Sequence, residues 1–207
     1  MGLYFNPNNK KFIKDISSSI YVDKTGLIEK LNEILCTNDN CIAVSHARRF
    51  GKSQAANLIE AYYSVGCDSK DIFSKYEIAR ADDFEKHLNT YNVIHIDVSS
   101  FSDYAGADVV DMITKRLLKD FRIEYPGIDY EEPLYMIISD IYMESGRRFV
   151  IIIDEWDCVI RNYADQPELV HKYMQFLHSL FKSMEATEFL ALGYVTGILP
   201  IKKINDE

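Results

Sequence analysis

The chain has 207 residues, of which 47% are hydrophobic and 27% are charged, and this composition is typical of a globular protein with one substantial core. Its net charge of -9 argues against a surface built as a whole to hold nucleic acid, so a polyanion would have to meet a local basic patch. No apolar run approaches the ~20 residues that cross a bilayer and the N-terminus lacks an apolar signal core, so we expect a cytoplasmic protein with no membrane partner.

The first predicted elements lead into a basic loop. Apolar residues from Leu27 to Leu35 follow helical spacing, and Asp23 lies where an N-cap would begin that helix. Residues 41–44 form a short apolar run, and an amphipathic helix follows the loop with apolar residues from Leu58 to Tyr62 on one face. This region is therefore predicted to run from a strand through a loop into a helix.

The middle of the chain predicts two strands with two helices between them. Residues 92–99, NVIHIDVS, are rich in β-branched residues and alternate enough to predict a strand. Amphipathic helices are predicted from Val110 to Phe121 and, after a Pro-Gly turn, from Leu134 to Ile141. The run 149–153 is apolar without interruption, as expected of a central strand that is covered on both faces.

The last part of the chain predicts one helix and one strand. Asp165 and Glu168 form a variant of the capping box, with Pro167 in the first turn, and they open an amphipathic helix. Residues 189–195 predict a strand that ends in a Thr-Gly turn. Because strands alternate with helices, we predict an α/β fold with a mostly parallel sheet and helices on both faces.

The chain as a whole predicts one domain, residues 1–207, because no internal repeat or linker divides it. The sequence stops soon after its last predicted strand, so we expect it to be cut within a larger protein. The cysteines lack the paired spacing of a zinc site and are expected to be buried free thiols. They are Cys36, Cys41, Cys67 and Cys158.

The basic loop, SHARRFGKS, ends like a phosphate-binding (Walker A) loop. The pattern G-x-x-x-x-G-K-[ST] binds phosphate when it lies between a strand and the N-terminus of a helix and its backbone N–H groups converge on the anion. Its first glycine falls here on His46, whereas Gly51, Lys52 and Ser53 are present. A chance GKS in a basic turn is the alternative, but the predicted strand and helix favour a nucleotide site. The expected binding residues are His46, Ala47, Arg48, Arg49, Phe50, Gly51, Lys52, Ser53 and Gln54.

The acids that follow the central strand, DEWD, are the second candidate motif. Asp154 can hold magnesium through water, as in a Walker B strand, and Glu155 can activate a water as a general base. Thr196, at the end of the last strand, can contact the attacking water or the terminal phosphate. The alternative for Asp154 and Glu155 is a solvated acidic junction between the strand and the following loop. The alternative for Thr196 is an ordinary Thr-Gly turn. Asp157 is either an acid behind the metal ligands or the cap of a following turn.

Four stretches in this order resemble the prokaryotic AAA-ATPase-like family, whose members usually carry a C-terminal PD-(D/E)XK-type nuclease domain. They are YVDKT at 21–25, SHARRFGKS at 45–53, DEWD at 154–157 and TG at 196–197, and they span nearly the whole chain. The family pattern reads YVDKT, an SRPRRFGKS-like loop, DEYD and LTG, and the RRFGKS loop is its most specific part. The chain departs from this pattern at His46-Ala47 and at Trp156.

The resemblance implies a P-loop NTPase of AAA type in which the missing first glycine is a family feature, because the family's loops have a basic residue at the position of His46. It also implies that the ATPase part continues into a lid region and a nuclease domain, which this sequence does not reach. Nucleic acid would be a partner only through that nuclease domain.

Two features allow alternative interpretations. Arg48 and Arg49 either add positive charge beside the loop, in place of contacts that a glycine permits, or face acidic neighbours and solvent. The stretch from Tyr21 to Thr25 either approaches the base or sugar of a nucleotide or begins a capped helix, and we favour the capped helix.

The leading hypothesis is a module that binds ATP with Mg2+, hydrolyses it and controls an attached effector domain. Lys52 would bind the phosphates, Ser53 and Asp154 the metal, and Glu155 would activate water. A nucleotide-dependent switch or scaffold with little hydrolysis is the second hypothesis, and an oligomer is compatible with both. A small-molecule kinase is a weaker third, because adjacent Asp154 and Glu155 favour water as the acceptor and no other acceptor site is recognisable.

Overall fold

The computed structural model describes residues 2–102 and 108–200, apart from the side chain of Ser102. The expected end of the domain at residue 207 lies outside the described residues. Within them the strands are β1 (Cys41–Ser45), β2 (Asn92–Asp97), β3 (Phe149–Asp154) and β4 (Leu190–Gly197). The helices are α1 (Lys10–Ile16), α2 (Gly26–Ile34), α3 (Lys52–Tyr63), α4 (Lys70–Phe73), α5 (Phe84–His87), α6 (Ser99–Ser102), α7 (Val109–Glu124), α8 (Leu134–Ser145), α9 (Cys158–Asn162), α10 (Pro167–Lys182) and α11 (Met184–Phe189). A 3-10 helix spans Glu77–Arg80.

The four described strands form one parallel sheet in the order β1-β4-β3-β2. Because parallel neighbours need a crossover connection, helices are carried to the faces of the sheet. The predicted α/β fold with a parallel sheet is therefore confirmed.

Strand β3 lies in the centre of the core, and all of its residues are buried. Ile151 and Ile153 face a cluster formed with α7, α8 and α10, whereas Val150 and Ile152 face one formed with α2 and α3. Each fully buried isoleucine contributes about 1.5–3 kcal/mol of transfer free energy. The uninterrupted apolar run thus has the predicted cause: helices cover both faces of the strand.

The beginning of α2 differs from the prediction, because its N-cap residue is Thr25 and not Asp23. Asp23 Oδ1 accepts a hydrogen bond from Thr25 N at 2.8 Å, and Asp23 Oδ2 accepts one from Glu77 N at 3.0 Å. Thr25 Oγ1 accepts one from Ile78 N at 3.2 Å. Burial opposes ionisation of Asp23, but these backbone donors prevail and lower its pKa. Both side chains therefore fasten the start of α2 to the 3-10 helix.

The predicted capping box of α10 is also wrong. The N-cap residue is Gln166 and Pro167 occupies the first helical position, so Asp165 lies one residue too early to cap the helix. A proline is tolerated there because the first helical N–H has no partner within the helix. The predicted position of Pro167 in the first turn is confirmed, but Asp165 does not occupy the N-cap position that the capping box requires.

The ends of β2 and β4 also shift by one or two residues. β2 ends at Asp97 and not at Ser99, because Asp97 Oδ1 accepts hydrogen bonds from Ser99 N at 2.9 Å and Ser99 Oγ at 2.6 Å. That turn opens the short helix α6. β4 begins one residue later than predicted because Phe189 belongs to α11. The predicted Thr-Gly turn is wrong, because Thr196 and Gly197 belong to β4 and pair with Val44 and Ser45 of β1.

The four cysteines are free thiols, but the prediction that all are buried is wrong. Cys158 is buried and Cys67 is partly buried, whereas Cys36 and Cys41 are exposed. Cys41 is exposed because β1 is an edge strand of the described sheet. Over the described ranges, no helix combines the length and apolarity that a membrane span requires.

Candidate functional site

The carboxyl ends of the parallel strands bring the predicted motifs to one edge of the sheet. Asp97, at the end of β2, is in register with Asp154 at the end of β3. On the other side, Ser45 of β1 is in register with Gly197 of β4, and His46 N donates a hydrogen bond to Gly197 O at 3.1 Å. Ligands of open parallel sheets bind at this edge.

A cleft of about 540 Å³ opens at this edge. The predicted site residues that line it are Arg48, Arg49, Gly51, Lys52, Ser53, Gln54, Asp154 and Glu155. The residues that line it without having been predicted are Asp97, Ser99, Cys158, Arg161 and Asn162. Four predicted site residues do not line the cleft: His46, Ala47, Phe50 and Thr196. Each of them contacts or adjoins a residue that does. His46 and Ala47 accept hydrogen bonds from Lys52, Thr196 donates one to Asp154, and Phe50 precedes Gly51.

The loop from His46 to Gly51 delivers the N-terminus of α3 to the cleft. Gly51 is the N-cap residue and has a φ of 75°, in the left-handed region that glycine adopts without strain. Among the described residues, no side chain caps α3 at this end. The first N–H groups of the helix have no intrahelical acceptor, so together with the helix dipole they form a site for an anion.

His46 stands where the usual loop has its first glycine. Its Nδ1 accepts a hydrogen bond from Ala47 N at 2.9 Å, and its ring stacks on Phe50 with centroids 3.8 Å apart. This stack closes the loop on itself. Arg49 has a φ of 69°, a conformation that costs a non-glycine residue about 1–2 kcal/mol.

Lys52 is buried and directed at the loop. Its Nζ donates hydrogen bonds to His46 O at 2.9 Å and Ala47 O at 3.2 Å, and it lies 3.9 Å from Glu155 Oε1. A buried ammonium group is retained only when such partners replace its lost hydration. The lysine therefore joins the loop to the acidic end of β3.

Asp154 is buried at the end of β3 and has a fixed orientation. Its Oδ1 accepts hydrogen bonds from Thr196 Oγ1 and, at 3.1 Å, from Glu155 N. Thr196 is itself fully buried. Burial, followed by the charge of Asp154, raises the pKa of the nearby Tyr194 to about 12.

Glu155 follows Asp154 in a tight turn and has a φ of 53°. Its Oε2 accepts a hydrogen bond from Arg161 Nη2 at 3.1 Å, and its backbone O accepts one from Cys158 N at 2.9 Å. Trp156 N donates to Thr196 O at 2.9 Å. The turn is thereby fastened to both α9 and β4.

Asp157 occupies the N-cap position of α9, yet among the described residues its side chain does not cap that helix. Its Oδ2 instead accepts hydrogen bonds from Arg161 Nε at 2.9 Å, Ile198 N at 3.2 Å and Leu199 N at 3.0 Å. Asp157 thus connects α9 to the backbone that leaves β4.

A protein-family model described as "Predicted AAA-ATPase" matches residues 9–205. The chain belongs to this AAA-ATPase family. Its α/β fold, with an all-parallel sheet, is that of a P-loop NTPase-like protein, and the predicted family and fold class are thereby confirmed. None of the curated proteins and none of the solved structures matches the chain significantly.

In this AAA-ATPase family member, the stretch from Tyr21 to Thr25 approaches the loop from His46 to Gly51 through Lys24. Lys24 Nζ lies 3.5 Å from Phe50 O. Tyr21 packs edge-on against Phe12 and Tyr76, and its burial, followed by the charge of Asp23, raises its pKa. Packing and the start of α2 therefore account for Tyr21, Asp23 and Thr25, whereas Lys24 reaches the loop.

Sequence reasoning missed Asp97 and Arg161 for different reasons. Asp97 ends an apolar strand just as Asp154 does, so the same rule would have found it had the strand been ended correctly. Arg161 lies one helical turn after Asp157, and this spacing was its only signal in the sequence.

Proposed function

We propose that this protein binds ATP together with Mg2+ and hydrolyses it. One observation carries the proposal: the uncapped N-terminus of α3 and the buried Lys52 share a cleft with Asp154 and Glu155. Positive groups on one side suit a polyphosphate, and carboxylates on the other suit a metal ion and a water.

The phosphates would lie on the loop from His46 to Gly51. Lys52 Nζ would exchange the carbonyl oxygens of His46 and Ala47 for phosphate oxygens. The ammonium group would then have hydrogen-bond acceptors both before and after the nucleotide binds. Arg48 and Arg49 line the same cleft, so we propose that they add positive charge there in place of contacts that a first glycine permits.

Mg2+ fits the donor set, because Ser53 and Asp154 offer the hard oxygen ligands that this ion prefers. The hydroxyl of Thr196 and the amide of Glu155 orient the Asp154 carboxylate, as outer partners of a metal ligand do. We therefore propose that Thr196 acts by holding Asp154. When bound, the ion would neutralise charge on the phosphate oxygens.

Glu155 is the proposed general base. Its carboxylate lines the cleft, and its Oε1 lies 3.9 Å from Lys52 Nζ. A water between this carboxylate and the terminal phosphate would lose its proton to Glu155 as it attacks.

The test is a titration with ATP, with and without Mg2+, followed by a hydrolysis assay. Lys52→Ala should weaken ATP binding about 100-fold, because about 3 kcal/mol of charged hydrogen bonding is lost. Glu155→Gln should bind ATP normally and hydrolyse it about 10²- to 10⁴-fold more slowly. Lys115→Ala, an exposed position on α7, is the matched control. Wild-type affinity in Lys52→Ala would contradict the proposal.

From the family resemblance we further propose that residues 1–207 form an ATPase unit that controls an attached effector of nuclease type. Nucleic acid would then be a partner of the effector. If the wild-type protein binds ATP without turnover, the nucleotide-dependent switch becomes the better description. Transfer of phosphate to a small molecule instead of water would indicate a kinase.

A further inference from the structure

The two oxygens of the Glu155 carboxylate have different partners. Oε1 lies 3.9 Å from Nζ of Lys52, the side chain that would bind the phosphates. Oε2 accepts a hydrogen bond from Arg161 Nη2 at 3.1 Å. Both side chains of the Glu155–Arg161 pair are mostly buried, with exposed fractions of 21% and 23%. Oε2 is therefore held by Arg161, whereas Oε1 lies beside Lys52.

Arg161 is itself held from a second direction. Its Nε donates to Asp157 Oδ2 at 2.9 Å, while Nη2 of the same planar group reaches Glu155. Because the guanidinium donors have a fixed fork geometry, two acceptors on two different donor nitrogens fix both its position and its plane. A lysine can place a charge at one of these acceptors but cannot reproduce the fork.

Asp157 in turn has a fixed position. Its Oδ2 also accepts the N–H groups of Ile198 and Leu199, at 3.2 and 3.0 Å. The side chain is fully buried, and a Cβ added to Gly197 would lie 2.7 Å from Asp157 Oδ1. The contacts therefore run without a break from the backbone after β4 to the candidate base.

We propose that Arg161 is the positioning residue for Glu155, held in place by Asp157 and, through it, by the backbone that leaves β4. The inference rests on the proposed ATP hydrolysis and adds a residue to it. Arg161 acts through Glu155, so its loss affects the rate of the chemical step and leaves nucleotide affinity unchanged. A glutamate side chain has three rotatable bonds, and without Arg161 its Oε1 no longer faces the cleft in one fixed orientation.

The test compares the steady-state hydrolysis of MgATP by the wild-type protein, Arg161→Ala and Arg161→Lys. Misplacing a reacting group by about 1 Å costs on the order of 100-fold in rate, so Arg161→Ala should lower kcat by about 10- to 100-fold. Its KM should stay within about twofold of wild type, because a group that acts only on the chemical step leaves binding unchanged. Arg161→Lys should recover part of kcat, and Arg116→Ala, an exposed position on α7, should hydrolyse like wild type.

A double variant separates positioning from a general structural effect. In Glu155→Gln, Arg161→Ala should produce no further loss of single-turnover rate, because the two residues act as one unit. Trp156 is the one tryptophan of the sequence and lies between Glu155 and Asp157, so its fluorescence reports whether this turn remains folded in each variant.

Three results would overturn the inference. Wild-type kcat in a folded Arg161→Ala would show that Glu155 needs no support. A raised KM with unchanged kcat would show that Arg161 contacts the nucleotide itself. Absence of ATP binding by the wild-type protein would remove the proposed function and the inference with it, and this outcome is recognised before any variant is compared.

Discussion

Replacing Gly51 by alanine should weaken both the fold and the nucleotide site. Gly51 has φ 75° and ψ 27°, and an alanine in this left-handed conformation costs about 1–2 kcal/mol. Its Cβ would lie 2.4 Å from Lys24 Nζ and 3.1 Å from Gln54 Oε1, but both atoms end flexible side chains and can move away. The expected loss of about 1–2 kcal/mol corresponds to roughly 2–8 °C in the melting temperature of a chain of this size.

Two other glycines provide matched controls for this substitution. Gly146 also has a positive φ, of 65°, but an added Cβ would meet nothing within 4 Å. Gly127 has free space and no positive φ. Thermal unfolding followed by circular dichroism should therefore show similar losses for Gly51→Ala and Gly146→Ala and almost none for Gly127→Ala.

ATP titration completes the comparison of the three glycines. Only Gly51→Ala should lose affinity, because only its Cβ is placed where the backbone has to approach a phosphate. If Gly51→Ala unfolds at the wild-type temperature while Gly146→Ala is destabilised, the left-handed start of α3 is refuted. If both are destabilised and both bind ATP normally, the role of Gly51 in the site is refuted.

Two further predictions concern the core and the response to alkaline pH. Glu60 is almost fully buried, and its Oε2 accepts hydrogen bonds from His95 Nδ1 and Lys11 Nζ. Glu60→Ala should therefore cost about 3–5 kcal/mol in urea unfolding. Lys11→Met should cost less than about 1 kcal/mol, because the lysine side chain is 46% exposed; equal losses would contradict this account. Burial, followed by the charge of Asp154, raises the pKa of Tyr194 to about 12, above the ordinary value near 10. The unfolded chain loses this proton first, so the contribution of Tyr194 to stability is complete below about pH 10 and is lost as the pH rises toward 12. Urea midpoints between these pH values should fall less steeply in Tyr194→Phe, and an unchanged slope would show that the phenol is not protected.

The central part of the fold was predictable because its sequence signals have one physical cause each. The apolar run of β3 reflects cover by helices on both faces, and the glycine of the loop reflects the left-handed start of α3. Once the strands are parallel, their carboxyl ends share one edge, which explains why the loop and Asp154 meet in the cleft.

The remaining features depend on tertiary contacts that periodicity does not reveal. α9 has five residues, too few to show a helical pattern, so Arg161 could not be placed facing Glu155. The left-handed conformation of Glu155 is imposed by the fastening of its turn to β4 and α9, since glutamate has no preference for it. The stack of His46 on Phe50, which closes the loop, likewise joins two residues whose contact periodicity does not reveal.

The order of the strands has a consequence for how the protein is made. β1, which leads into the loop from His46 to Gly51, is synthesised early, but the strand that it pairs with in the described sheet is β4, the last of the four. At the usual rate of translation the partner emerges on the order of 10 s later. Because His46 N bonds to Gly197 O, the loop cannot reach its final position before β4 has docked. A nascent chain should therefore bind the proposed nucleotide only after the four described strands have assembled, so that occupancy of the cleft would report that β4 has docked.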